Sequence, residues 1–195
     1  GVLIGLLTTI VSATVRRQTT IINDDFSKNS ASNYTVGSAF SLNWDPNGYL
    51  KINYPGDGGY GVCRREDVTA GDGLYSVLVK EDNDPNTFGA ALVVKVTDIE
   101  SSYDGILFGI NHTTQEVQVV KSIDNSGTVL YHSNQGIKAN QWYKLSIQII
   151  GANYTFFLDD REITTLTISD TIFQGAKKTG IVMSDNYGTA SQYCY

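Results

Sequence analysis

The sequence predicts an all-β protein, a sandwich or barrel of antiparallel strands. Three observations carry that prediction. From Asn23 onward, apolar and polar residues alternate with period two in run after run. Turn-forming clusters of Gly, Asn, Asp and Pro separate the runs. No helical stretch lies between them, and that spacing is the mark of a sandwich or barrel.

The runs follow in order. Leu50, Ile52 and Tyr54 alternate with Lys51 and Asn53. Tyr75, Val77 and Val79 alternate with Ser76 and Leu78, and Leu92, Val94 and Val96 oppose Lys95. Leu145, Ile147 and Ile149 alternate with Ser146 and Gln148, while Tyr154, Phe156 and Leu158 oppose Thr155 and Phe157. Each run predicts a strand with one buried face. The turns fall at Gly56-Asp57-Gly58-Gly59, Gly71-Asp72-Gly73, Asn83-Asp84-Pro85-Asn86, Asp124-Asn125-Ser126-Gly127 and Asn134-Gln135-Gly136.

Residues Gly1 to Val15 differ from all of this. They carry no charge, are too short to span a bilayer comfortably, and are closed by Arg16-Arg17. Three readings compete. Val11-Ser12-Ala13 resembles a signal-peptide cleavage site behind an apolar core. Leu3, Leu6, Leu7, Ile10 and Val11 follow the spacing of a helix face. Val11, Ala13 and Val15 alternate with Ser12 and Thr14 as in a strand. The chain is therefore expected to divide into an apolar assembly or anchor segment, 1–22, and one sandwich domain, 23–195.

Composition narrows the function classes. Of 195 residues, only 17% are charged, so surface polarity must come from Ser, Thr, Asn, Gln and Tyr. A net charge of −6, with no run of cations, argues against a nucleic-acid partner. Three N-x-[ST] sequons, at Asn33, Asn111 and Asn153, make glycosylation and an extracellular or cell-surface location the expectation. The two cysteines, Cys63 and Cys194, lie too far apart for a redox or zinc spacing, and one long-range disulfide is the simplest use for them outside the cell.

From Asp24 onward the order of landmarks resembles the concanavalin A-like, laminin-G-like jelly-roll superfamily. Asp24-Asp25-Phe26-Ser27 is similar to its first strand, and Ala90 to Asp98 followed by Tyr103 to Ile110 to its central hairpin. Asn140-Gln141-Trp142-Tyr143-Lys144-Leu145 and Tyr154 to Asp160 are similar to its "gqWYkLrv" strand and "vylDG" hairpin, and Gly175 to Met183 to its penultimate strand. The resemblance implies an antiparallel jelly-roll β-sandwich, here with an apolar N-terminal extension. It also implies a buried Trp142. No cofactor is expected, with calcium as the alternative, held near the first strand by Asp24 and Asp25; the acidic turn Glu81-Asp82-Asn83-Asp84 is a second oxygen-rich stretch. Set against the family's closing strand, Tyr193-Cys194-Tyr195 is expected to supply only part of it, and Gly1 to Val15 has no counterpart in the family.

Enzymes of this superfamily that cleave glucans carry E-x-D-x-E on one strand, as nucleophile, orienting group and acid/base. The nearest match is Val96-Thr97-Asp98-Ile99-Glu100, with Val96 in the nucleophile's place. No enzymatic activity is therefore expected. Trp44 and Tyr49, beside the Asp45-Pro46-Asn47-Gly48 turn, are the aromatic residues expected to meet a sugar.

Two functions follow. The first is a non-catalytic subunit of a cell-surface filament or pilus, a homopolymer whose partner is the chain itself. Leu3, Ile4, Leu6, Leu7, Ile10, Val11 and Val15 would pack into the next subunit, as an added strand in preference to a pilin-like helix. Leu3-Ile4-x-Leu6-Leu7-x-x-Ile10 resembles the start of type IV pilins, with Gly5 in place of their usual Glu. The alternative is a lectin-like module on a cell surface, with glycans as partners.

Overall fold

The computed structural model describes residues 27–37, 41–53, 59–66, 71–83, 87–97, 104–124, 126–175, 177–185 and 191–194. The apolar residues Leu3 to Val15 and the proposed calcium ligands Asp24 and Asp25 lie outside them. The strands are β1 (Tyr34–Val36), β2 (Ser41–Asp45), β3 (Tyr49–Asn53), β4 (Gly59–Arg65), β5 (Gly73–Glu81), β6 (Thr87–Val96) and β7 (Gly105–Asn111). They continue with β8 (Glu116–Ile123), β9 (Ser126–Asn134), β10 (Tyr143–Ile150), β11 (Asn153–Leu158), β12 (Arg161–Thr167), β13 (Lys178–Asp185) and β14 (Ser191–Cys194). Two single-turn 3-10 helices, Ala31–Asn33 and Thr171–Phe173, are the only helical elements among the described residues.

The strands form two seven-stranded antiparallel sheets, a jelly-roll sandwich. The first runs β1-β4-β13-β6-β7-β8-β9 and the second β12-β11-β10-β5-β14-β3-β2. Non-consecutive neighbours are what the wrapping of a jelly roll requires. One predicted turn joins a hairpin within a sheet, Asp124 to Gly127 between β8 and β9, whereas Asn134-Gln135-Gly136 lies between β9 of the first sheet and β10 of the second. Asp124 (φ 48°) opens the tight turn from β8 to β9, and Asp159 and Asp160 (φ 49° and 64°) make the one from β11 to β12. A turn with both central residues at positive φ matches the twist of the strands that it joins.

The period-two faces meet in the core. Leu50, Val79, Leu145, Ile147, Ile149 and Phe156 of the second sheet pack on Leu92, Val94, Ile106, Phe108, Ile110 and Val117 of the first. The Phe108 and Phe156 rings stand 5.4 Å apart at 57°, a tilted contact across the two layers. Burial of each such side chain stabilises the fold by about 1.5–3 kcal/mol.

One run breaks its predicted alternation. Leu92 and Val94 point into the core, but Val96 does not follow them. The β6–β13 register shifts between Lys178 and Thr179, and Lys95 adopts φ 63°, so Lys95 is the extra residue of a β-bulge. Val96 thereby joins Val62, Ala91, Val93, Leu107 and Val182 in a second buried apolar cluster on the outward side of the first sheet. The Lys95 ammonium donates to the Gly175 carbonyl.

The disulfide expectation is corrected. Cys63 is a free, buried thiol on the inner face of β4, and burial pushes its pKa up to about 12. Packed among apolar side chains, it behaves as a small hydrophobe. Cys194 belongs to the other sheet, in register with Leu50 and Val79.

Candidate functional site: an aromatic and lysine platform

The outward face of the second sheet carries the best-formed group of aromatic and charged side chains. It begins at the β2–β3 hairpin. Asp45 Oδ1 accepts from the backbone N–H and the Nδ2 of Asn47, each at 2.8 Å, and the Gly48 N–H donates to the Asp45 carbonyl at 2.9 Å. Gly48 closes the turn at φ 85°, a conformation that costs glycine nothing. Asp45 and Tyr49 face each other in register, and Leu50 points into the core, so Tyr49 points outward. The Asp45 carboxylate is held below the ordinary range, first by the Asn47 N–H, then by hydrogen bonds from Tyr49 and Asn47 and by the Lys51 charge; burial opposes this.

Trp142 approaches from the other side. The loop before β10 is pinned by the Asn140 N–H donating to the Glu81 carbonyl at 2.8 Å and by the Lys138 N–H donating to the Tyr143 hydroxyl at 2.9 Å. Tyr143 is buried, so its neighbour Trp142 stands on the outward face, partly exposed. Its ring lies 6.2 Å from that of Tyr49, and the Lys80 ammonium sits 5.0 Å from its centroid. Lys80, Tyr193 and Lys51 are in register across β5, β14 and β3. Two aromatic rings, two lysines and an ionised carboxylate thus share one face. The ring faces suit the C–H faces of a pyranose, and the charged groups suit its hydroxyls.

This partly reverses the sequence-based expectation. Tyr49 is where it was expected. Trp44 is in register with Leu50 and packs against the core, whereas Trp142, expected to be buried, is in the platform. Parity alone carried the signal: Tyr143, Leu145, Ile147 and Ile149 share the inner face, which sets Trp142 on the outer one.

The remaining predicted residues are scattered. Asn33 and Asn153 are exposed, and Asn153 Oδ1 accepts from the Thr167 hydroxyl at 2.9 Å. Asn111 is set differently from these two: it is 6% exposed, and its Oδ1 caps a turn by accepting from the N–H groups of Thr113 and Thr114. Glu81 is likewise unavailable to calcium. Its buried carboxylate accepts from the Ala90 N–H at 2.9 Å, the His112 N–H at 2.8 Å and His112 Nδ1 at 2.9 Å. Among the described residues, no three His, Cys, Asp or Glu side chains are grouped to hold a metal ion. Asp98 and Glu100 lie outside the described residues.

No family model matches the chain, and no curated protein matches it. Solved structures do. A carbohydrate-binding module, CBM66 from Bacillus subtilis, is 15% identical, with a TM-score of 0.67 over 83% of this chain and 91% of its own. A β-glucanase from Bacillus licheniformis is 14% identical, with a TM-score of 0.66 over 88% and 93%. A glycoside hydrolase family 16 endo-glucanase from Bacteroides ovatus is 12% identical, with a TM-score of 0.65 over 88% and 96%. The fold is therefore a concanavalin-like jelly roll, as the sequence resemblance implied.

These neighbours correct two expectations. The filament or pilus subunit gives way, because the matching structures named above are a carbohydrate-binding module and glucanases. The expectation of no enzymatic activity gives way too. A β-glucanase and an endo-glucanase each match 88% of this chain in fold.

Proposed function

We propose that the chain is an extracellular carbohydrate-binding protein whose sugar contacts centre on Trp142, Tyr49 and Lys80. The observation that carries this reading is the pairing of Trp142 and Tyr49 on one exposed sheet face, with Lys80 over the indole and Asp45 ionised beside them. The carbohydrate-binding module among the structural neighbours supports the class of ligand. The exposed sequon residues Asn33 and Asn153 support the extracellular location.

Affinity electrophoresis or calorimetry against a panel of soluble polysaccharides tests the reading. Trp142→Ala is expected to weaken binding at least about tenfold, the scale of one lost aromatic contact, and Tyr49→Ala to weaken it less. Unchanged affinity in Trp142→Ala refutes the platform, and no binding to any polysaccharide refutes the function.

The glucanase neighbours favour a second reading, hydrolysis of the bound glycan. Release of reducing ends from lichenan or laminarin, lost in Glu100→Gln, would establish it. Binding without such release leaves the first reading standing alone.

A further inference from the structure

A two-sheet sandwich has four open edges, and each exposes unpaired backbone N–H and C=O groups that can recruit another strand. Three of the four here are guarded. β1 is only 3 residues long. β2 has 5 and ends on the carboxylate of Asp45. β12 has 7 and begins with Arg161 and Glu162, and its partner strand carries a register shift.

The fourth edge is different. β9 runs for 9 residues, Ser-Gly-Thr-Val-Leu-Tyr-His-Ser-Asn, with no Lys, Arg, Asp, Glu or Pro. Only β8 borders it. Val129 is 53% exposed, the most exposed large apolar side chain among the described residues. A single bulge, where the register shifts between Val119 and Val120, is its only guard, and it leaves straight stretches on both sides of Leu130. None of the three sequons falls in β9, so a glycan at Asn33 or Asn153 would grow from another element.

We infer that β9 is an interaction edge and that its partner is β9 of a second copy of this chain, the two pairing antiparallel across a two-fold axis. The argument is self-complementarity. A two-fold contact sets each residue against another from the same strand, so a charged strand meets its own charge, whereas an uncharged one meets none. With the axis at Val129, the two Val129 side chains approach each other on the outward face of the sheet, where Val129 is in register with Val120, and β-branched pairs of this kind are favourable across strands. The pair joins two first sheets edge to edge. Because the same patch serves both copies, assembly closes at a dimer and does not propagate into a filament. The platform lies on the other sheet, so both copies keep it free, and two platforms on one particle raise avidity for a repeating polysaccharide. The inference stands independently of sugar binding.

Sedimentation velocity of the purified chain, without carbohydrate, tests it. The wild type is expected to sediment as a dimer at high protein concentration. Val129→Lys, which sets two ammonium groups against each other across the axis, is expected to shift it to a monomer with unchanged circular dichroism. Thr165→Lys, on the exposed edge β12, is expected to leave the dimer intact. Thr128→Glu serves as a second β9 variant should Val129→Lys fail to fold. A monomeric wild type at every soluble concentration overturns the inference. So does a dimer that survives the folded β9 variants, or one that Thr165→Lys alone dissolves.

Discussion

The molecule contains the same side-chain pair twice, in opposite settings. Glu81 and His112 meet at 2.9 Å, with the carboxylate fully buried and the imidazole 9% exposed. Glu116 and His132 meet at 3.4 Å, with the imidazole 65% exposed. Glu81 ties three elements together: the end of β5, the backbone of β6 at Ala90, and the turn after β7 at His112. Glu116 and His132 merely face each other near the ends of β8 and β9. The two carboxylates respond in opposite directions. Burial raises the Glu81 pKa, against the pull of its His112 and Ala90 hydrogen bonds. The His132 hydrogen bond lowers the Glu116 pKa, against a smaller burial effect. Residue type therefore does not decide whether such a pair is structural; the number of backbone groups that depend on it does.

The largest break in this comparison is Glu81→Ala. It strands the Ala90 and His112 N–H groups in the interior, and urea denaturation should show a loss of about 3–5 kcal/mol. Glu116→Ala should leave the urea midpoint unchanged within error, because water replaces the lost partner. Equal losses from the two variants would mean that burial is not what separates the pairs.

Gly89→Ala probes the same corner. Gly89 has φ +143°, and a Cβ there would lie 2.3 Å from the Ile110 carbonyl oxygen. A loss of about 1–3 kcal/mol is expected from strain and displacement. Gly136→Ala, at φ +67° with open space around the added carbon, should cost less.

The pH dependence should split the pairs by sign. Glu81, with its folded pKa raised above the ordinary 4.5, binds its proton more tightly in the native state. That stabilisation is complete below 4.5 and is lost as pH rises through the raised folded value. Glu116, with a folded value lowered from 4.5, contributes stability above 4.5 that is lost as pH falls through the lowered value. Thermal melts across this range should thus give the wild type a shrinking advantage over Glu81→Gln on going upward, and over Glu116→Gln on going downward. Slopes of the same sign would refute the assignment.

The smallest effect concerns Asn111, next to His112 in the same buried corner. Glycopeptide mapping of protein from a glycosylating host should find glycans at Asn33 or Asn153 and none at Asn111. Full occupancy of Asn111 would mean that this corner opens before folding is complete.

The alternation from Leu145 to Ile149 and from Tyr154 to Leu158 was enough to specify strands, their inner faces and the sandwich, because a period-two pattern has one way to bury its apolar half. Asp-rich turns specified where the chain reverses, because their positive-φ conformations are available to few residue types. What the sequence could not specify depended on neighbours distant along the chain. The bulge at Lys95, which moved Val96 from the core to the outward cluster, arises in the pairing with β13. The free thiol of Cys63 sits among apolar side chains that only the packing of the two sheets brings around it. Trp44 became a core residue only when β2 acquired its register with β3. The platform brings Tyr49, Lys80 and Trp142 together from three separate strands or strand ends, and no local pattern records that meeting. Local periodicity sets which way a side chain points, but only tertiary packing decides what it points at.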